Sequence, residues 1–210
     1  MKKNCTEVVF VLDRSGSMCG LEKDTIGGFN SLINKQKKQD GEVLVSTVLF
    51  NDSSVVIHDR KPIDEVRLMT NKDYEVYGCT ALLDALGSSI RHIGNIHKYA
   101  RVEDVPEHTM FVIITDGMEN ASRYYSKERV KSMIEYEKEK YGWEFLFLAA
   151  NMDAIDTASQ YGIDKDHAVN CQCDSVGTRL NYEVLDEAIQ CICSGVPLSK
   201  SWKSKIEKCK

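Results

Sequence analysis

The chain has 210 residues, a length that one compact domain with a sizeable hydrophobic core can account for. Only three prolines occur, and no stretch rich in Gly, Ser or Pro divides the chain as a linker would. The net charge of -5, with both signs mixed, argues against nucleic-acid binding through bulk electrostatics.

The first apolar run, residues 8–12, is followed at once by charged residues and is too short for the core of a signal peptide. No other apolar run is long enough to span a membrane. We therefore expect a cytoplasmic protein without a membrane span.

Four continuous apolar runs predict strands that are buried on both faces, as in a mostly parallel sheet. In chain order they are VVFVL (8–12), VLVSTVLF (43–50), MFVIIT (110–115) and EFLFLAA (144–150). The segment SSVVIH (53–58) follows the second run after Asn51 and Asp52, a spacing typical of a hairpin, and so predicts an antiparallel edge strand. HAVN (167–170) predicts a short last strand.

The segments between these strands carry helical periodicity. Apolar residues recur at spacings of three and four after the first strand, after Thr80 and after Ser126, which is a predicted N-cap. Two further helices are predicted near 153–160 and 178–193. Strands that alternate with helices predict an α/β fold with a doubly wound, mostly parallel central sheet, one antiparallel edge strand and helices on both faces.

Side chains with oxygen atoms follow two of the buried strands and precede one helix. DRSGS, directly after the first strand, contains Asp13, Ser15 and Ser17; Thr80 lies in YGCTALLDA, and Asp116 in TDGMEN follows the VIIT strand. In a doubly wound sheet, ligands bind outside the carboxyl ends of the strands, where the strand order reverses. Three hydroxyls and two carboxylates suit a hard cation rather than zinc or copper. Because two carboxylates at most neutralise the ion's two charges, we expect the ion to accept a further carboxylate from outside the chain.

In this order, DRSGSM, the threonine of GCTALLDAL, and TDGMEN resemble the metal-ion-dependent adhesion site of the von Willebrand factor type A (vWA) domain, whose fold is Rossmann-like. The resemblance extends from the first strand to about residue 194. It implies a protein-binding module rather than an enzyme, with a Glu or Asp of the partner filling an open position on the metal. The small stand-alone bacterial members, some of which accompany tellurium-resistance or other stress gene clusters, are similar in size. By resemblance, the ligands of Mg2+, or alternatively of Mn2+ or Ca2+, are Asp13, Ser15, Ser17, Thr80 and Asp116, some of them through water.

Two alternatives stay open. Asp13 after an apolar strand also resembles the nucleophile of haloacid-dehalogenase-type phosphatases, although Ser15 stands where that chemistry expects a second aspartate. The chain would then be a metal-dependent, phosphatase-like hydrolase. In the other alternative it is a scaffold with a vestigial metal site, in which the serines are turn residues and Thr80 caps a helix.

The eight cysteines are predicted to be reduced, because the chain shows no export signal and is large enough to fold without disulfides. Two Cys-x-Cys pairs, 171/173 and 191/193, lack the usual Cys-x2-Cys spacing of structural zinc sites, which favours free cysteines.

Many vWA members carry a glycine at the position of Cys79. If the backbone there requires a positive φ, a cysteine costs about 1 kcal/mol. Cys19 and Cys79 would both line the site, which suggests a redox role as a hypothesis.

The predicted domain covers residues 1–195, and residues 196–210 form a predicted basic C-terminal tail. A segment such as KSWKSKIEKCK (200–210) is usually solvated. Trp202 and Ile206 are the residues that would anchor it to a partner or to an acidic surface.

Overall fold

The computed structural model describes residues 1–196 and 198–208. The six strands are β1 (Lys2–Asp13), β2 (Glu42–Phe50), β3 (Ser54–Pro62), β4 (Pro106–Thr115), β5 (Glu144–Ala149) and β6 (Ala168–Asn170). The α-helices are α1 (Glu22–Gln36), α2 (Leu82–Tyr99), α3 (Lys127–Tyr141), α4 (Ala154–Gln160), α5 (Ser175–Cys193) and α6 (Ser204–Lys208). The strands form one sheet in the order β3-β2-β1-β4-β5-β6.

The central strand, β1, is parallel to both of its neighbours. Val8 pairs with Val45 of β2 on one side and with Met110 of β4 on the other. The chain thus winds outward in both directions from β1, and the strand order reverses between β1 and β4. A crevice is therefore expected at the carboxyl ends of these two strands.

The predicted fold class is confirmed. All the predicted strands are present, and β3 is antiparallel to β2 at the edge of the sheet, although it continues to Pro62. Ser126 is the N-cap of α3 and accepts a hydrogen bond from the backbone N–H of Arg129, as predicted. The last helix, α6, was not predicted. No helix among the described residues is long and apolar enough to cross a membrane.

The core has two layers, one on each face of the sheet. Because side chains alternate along a strand, Phe10 and Leu12 of β1 face α1 and α5, while Val9 and Val11 face α2 and α3. Both sets are almost completely buried. This central strand is therefore fixed from both sides, and its C-terminal end is a rigid support for the residues that follow it.

The C-terminal segment packs against the domain, which differs from the solvated tail that its composition favours. The side chains of Trp202 and Ile206 are buried in the core layer that includes α5. Trp202 Nε1 donates a hydrogen bond to the carbonyl of Asp166 at 2.7 Å, and Lys203 Nζ donates to the carbonyl of Ala168 at 2.8 Å. The two predicted anchors thus bind the chain's own domain.

Candidate metal site

Asp13, the last residue of β1, joins the serine loop to the end of β4. Its carboxylate is buried and accepts two hydrogen bonds, from the backbone N–H of Ser15 at 2.7 Å and from Thr115 Oγ1 at 2.6 Å. The hydroxyl of Tyr74 donates to the backbone carbonyl of Asp13. Asp13 therefore holds the loop that carries the two serines in place.

The two serine hydroxyls lie next to Asp116, at the end of β4. Ser15 Oγ lies 3.1 Å from Ser17 Oγ, and Ser17 Oγ donates to Asp116 Oδ1 at 2.5 Å. These groups come from opposite sides of the β1–β4 crevice, 99 residues apart in the chain. The structure thus brings together the two sequence segments that were predicted to meet.

The position of Gly117 shows that Thr80 joins this group. A Cβ atom placed on Gly117 would lie 2.6 Å from Thr80 Oγ1, 3.1 Å from Ser17 Oγ and 3.5 Å from Ser15 Oγ. Three hydroxyls therefore surround one small space, which the absence of a side chain at position 117 keeps open. All the predicted site residues contribute to this arrangement, although Asp13 does so through its hydrogen bond to the serine loop.

Thr80 is fixed through its backbone by the loop after β4. Its N–H donates to Asn120 Oδ1 at 2.9 Å, and its carbonyl accepts from the Asn120 N–H at 3.0 Å. The next residue, Ala81, donates its N–H to the carbonyl of Asn51. Sequence reasoning did not assign a role to Asn120, although it belongs to the quoted TDGMEN segment.

The strain that a positive φ would cause at Cys79 is absent. Gly78 has the positive φ, +77°, and Cys79 is not among the described residues with positive φ. A Cβ on Gly78 would lie 2.1 Å from Asp52 Oδ2, while Asp52 Oδ1 accepts the N–H of Cys79 at 3.0 Å. The glycine that this loop needs is therefore Gly78, and the cysteine after it is tolerated.

The site carries negative charge in a buried position. Burial raises the pKa of Asp13; the hydrogen bonds from Thr115 and Ser15 oppose this effect, and the nearby charge of Asp116 adds to it. Neither carboxylate forms an ion pair with Lys, Arg or His in the described part of the chain. Arg14, the nearest cation in sequence, lies over the ring of Tyr77 at 5.6 Å instead. A bound cation would compensate this charge.

The donor set fits a hard divalent cation. Hydroxyl and carboxylate oxygens are the ligands that Mg2+ and Ca2+ prefer, and the three hydroxyls already enclose a common space. Within residues 1–196 and 198–208, no three side chains of the His, Cys, Asp or Glu type come together as a metal cluster. The Cys-x-Cys pairs therefore form no zinc site in this part of the chain.

A thiol that was not predicted contacts the site. Cys173, in the loop between β6 and α5, lies with its Sγ 3.4 Å from Asp116 Oδ2. Burial and the charge of Asp116 raise the pKa of this thiol, which favours its protonated, hydrogen-bond-donating form. Cys19 and Cys79, which were expected to line the site, are exposed, as Cys173 itself is. The sequence signal for Cys173 is only that its loop follows a strand at the same edge of the sheet.

No protein-family model matches the sequence, and neither does any curated protein. Solved structures do match. The vWF domain of the type V pili tip protein Mfa5 from Porphyromonas gingivalis is 11% identical with a TM-score of 0.66, and the match covers 92% of this chain and 97% of that one.

Two longer proteins are similar in fold. One is a von Willebrand factor type A protein from Catenulispora acidiphila (12% identity, TM-score 0.57), where the match covers 87% of this chain and 42% of that one. The other is the ArnB paralog VWA2 from Sulfolobus acidocaldarius (16% identity, TM-score 0.56), with 87% and 44% covered. This chain thus spans less than half of either protein. Together with the sheet order and the edge strand, these matches show that the chain has the von Willebrand factor type A fold.

Proposed function

We propose that this chain is a protein-binding module that uses a divalent cation to recognise a Glu or Asp side chain of a partner protein. The cation is Mg2+, with Mn2+ and Ca2+ as alternatives, and its ligands, direct or through water, are the predicted ones: Asp13, Ser15, Ser17, Thr80 and Asp116. The observation that carries the proposal is the convergence of three hydroxyls on one space, beside Asp116 and kept open by Gly117.

When bound, the cation supplies positive charge and a coordination position that an outside carboxylate can take. The protein's own residues determine where that position opens. Ser15, Thr80 and Asp116 are buried, whereas Ser17 is exposed. A partner would therefore approach from the side of Ser17.

The contacts of Asp13 favour binding over hydrolysis. Both of its carboxylate oxygens accept hydrogen bonds from the protein, and the residue is only 1% exposed. A nucleophile needs a free oxygen facing the substrate, and the general acid expected two residues later is replaced by Ser15. We therefore assign Asp13 to holding the loop and the cation, and propose no catalytic step.

The vWA fold supports this proposal at the level of architecture. The cytoplasmic location, the stand-alone bacterial type and the association with stress genes rest on the resemblance alone and stay predictions. The partner is defined here only by its chemistry, a carboxylate on an accessible segment.

The first test is a calorimetric titration of the EDTA-stripped protein with Mg2+ and Mn2+. We expect one ion per chain, no binding to an Asp116→Ala variant of confirmed fold, and unchanged binding to Asp40→Ala, which removes an exposed carboxylate in the turn after α1. Equal binding by both variants would contradict the site.

The second test addresses the open position. Acetate is titrated into the Mn2+-loaded protein while the relaxation rate of water protons is measured. If a carboxylate takes a coordination position from water, the relaxation enhancement falls with saturation. An enhancement that stays constant up to high acetate concentration would argue against recognition of a carboxylate by the metal.

A further inference from the structure

A groove of about 880 Å3 lies between α2 and α3, on the face of the sheet away from α1 and α5. Four cationic side chains line it: Arg91 and Lys98 from α2, and Arg129 and Lys140 from α3. All four are exposed. The groove is thus a positively charged surface on a chain whose net charge is negative.

None of these four cations forms an ion pair within 4 Å in the described ranges, 1–196 and 198–208, although the charge of Lys140 acts on the buried carboxyl of Glu137. The cations on the other side of α3 are different, because Lys131 lies 3.8 Å from Glu135 and Lys138 lies 2.8 Å from Asp164. Positive charge is therefore neutralised on one side of the helix and left unpaired on the side that faces the groove. Unpaired charge of one sign in a concave surface attracts ligands of the opposite sign.

Exposed tyrosines accompany the charges. Tyr124 is 86% exposed, and about half of the surface of Tyr136 and of Tyr141 is exposed. Lys140 Nζ lies 4.9 Å and 5.0 Å from the ring centroids of the last two, and it donates a hydrogen bond to Tyr136 Oη at 2.6 Å. Tyrosine and arginine are the residues most enriched at protein interfaces and in their binding hot spots.

The acidic residue in the lining, Glu137, is largely buried. Its Oε2 has no hydrogen-bond partner among the described residues, and burial raises the pKa of its carboxyl. A Cβ on Gly94 would lie 3.2 Å from Glu137 Oε1, so the glycine lets α2 pack closely against the carboxyl. Because Oε2 is itself buried, this oxygen lies beneath the groove floor and is not accessible to a partner.

We propose that this groove binds an acidic segment of a partner protein, with carboxylates at the four cations and an apolar or aromatic side chain against the tyrosines and Met133. The tyrosines and arginines of the groove favour a protein segment over nucleic acid as its occupant, because both residue types are enriched at protein interfaces. The proposal does not depend on the metal, because the groove contains none of the predicted metal ligands.

The test measures the fluorescence anisotropy of a labelled 14-residue peptide of alternating Glu, Leu and Phe, in EDTA and low salt. A peptide with Lys in place of Glu and a single-stranded thymidine oligonucleotide of similar length serve as comparison ligands. We expect saturable binding of the acidic peptide alone, and a loss of about tenfold or more in affinity for the double variant Arg91→Glu, Arg129→Glu.

The matched control is Lys38→Glu with Lys72→Glu, which changes the net charge by the same amount at exposed positions outside the groove. We expect this variant to bind the peptide as tightly as the wild type. Equal losses of peptide affinity in the two double variants would show that net charge alone causes the effect, and would overturn the proposal. Tighter binding of the oligonucleotide than of the peptide would assign the groove to nucleic acid instead. A milder pair, Arg91→Gln with Arg129→Gln, gives the same readout if the charge reversal disturbs folding.

Discussion

Replacing Gly117 by alanine tests the geometry of the metal site through a single methyl group. The added Cβ would lie 2.6 Å from Thr80 Oγ1, whereas real Cβ atoms essentially never approach another heavy atom within 3.0 Å. Thr80 Oγ1 and position 117 must therefore separate by at least 0.4 Å, the difference between the two distances. Gly117 does not have a positive φ, so its backbone accepts alanine without strain.

The size of this shift determines how much metal affinity Gly117→Ala is expected to lose. Metal–oxygen distances in a formed site are held to about 0.2 Å, so a displacement twice as large removes the hydroxyl of Thr80 from coordination. Disturbing even the outer partners of a metal ligand costs about 10–100-fold in affinity. We therefore expect Gly117→Ala to weaken metal binding by at least about 10–100-fold, which corresponds to about 1.4–2.8 kcal/mol of binding free energy.

The assay is the calorimetric Mn2+ titration, accompanied by thermal unfolding without metal. Gly27→Ala in α1 is the matched control, because a Cβ there meets no other atom within 4 Å. This control should bind Mn2+ like the wild type and gain up to about 1 kcal/mol of stability from the better helix propensity of alanine. If Gly117→Ala retained wild-type affinity, the space beside Gly117 would not be the metal position.

Two further predictions concern the rest of the domain. Trp202→Ala should lower the free energy of unfolding by about 3–5 kcal/mol in urea denaturation, because the side chain is buried and its Nε1 is hydrogen-bonded to Asp166; an unchanged midpoint would mean that the segment is solvated. Glu137→Gln should stabilise the protein at pH 7.5. Because the pKa of the buried carboxyl is raised, its ionisation costs more free energy in the folded than in the unfolded state. This penalty disappears as the pH falls below the pKa that the carboxyl has in the unfolded chain. Thermal unfolding at pH 7.5 and pH 4 should show the gain at the higher pH alone; an equal gain at both would exclude ionisation as its cause.

The core strands could be predicted because their signal is local. A strand covered by helices on both faces is a continuous apolar run. β2 and β5 begin and end close to such runs, and β4 ends with its run but begins four residues earlier, at Pro106. The first half of β1 was not predicted, because the contacts that stabilise it there are not local in the sequence. Glu7 is fully buried there, with its carboxylate bonded to Arg60 Nε at 2.7 Å and to His97 Nε2 at 2.6 Å. Partners 53 and 90 residues away leave no trace in the local pattern.

The candidate metal site likewise combines residues that a local sequence pattern indicates with contacts that depend on the fold. Asp13, Ser15 and Ser17 could be proposed together because they share one short loop, and Asp116 because it follows the neighbouring parallel strand. The contact between Cys173 and Asp116 depends on how the loop after β6 folds back over the crevice, which no spacing in the sequence expresses. Trp202 was recognised as an anchor but not as an anchor to its own domain, because its hydrogen-bond partner lies 36 residues earlier.

X-ray diffraction from crystals of the Mn2+-loaded protein, at a wavelength where manganese scatters anomalously, would locate a divalent cation held at the β1–β4 crevice. We expect one strong anomalous peak beside Gly117, within roughly 2.5 Å of the hydroxyl oxygens of Ser15 and Ser17. A peak elsewhere on the protein, or none at saturating Mn2+, would show that these residues do not hold the cation.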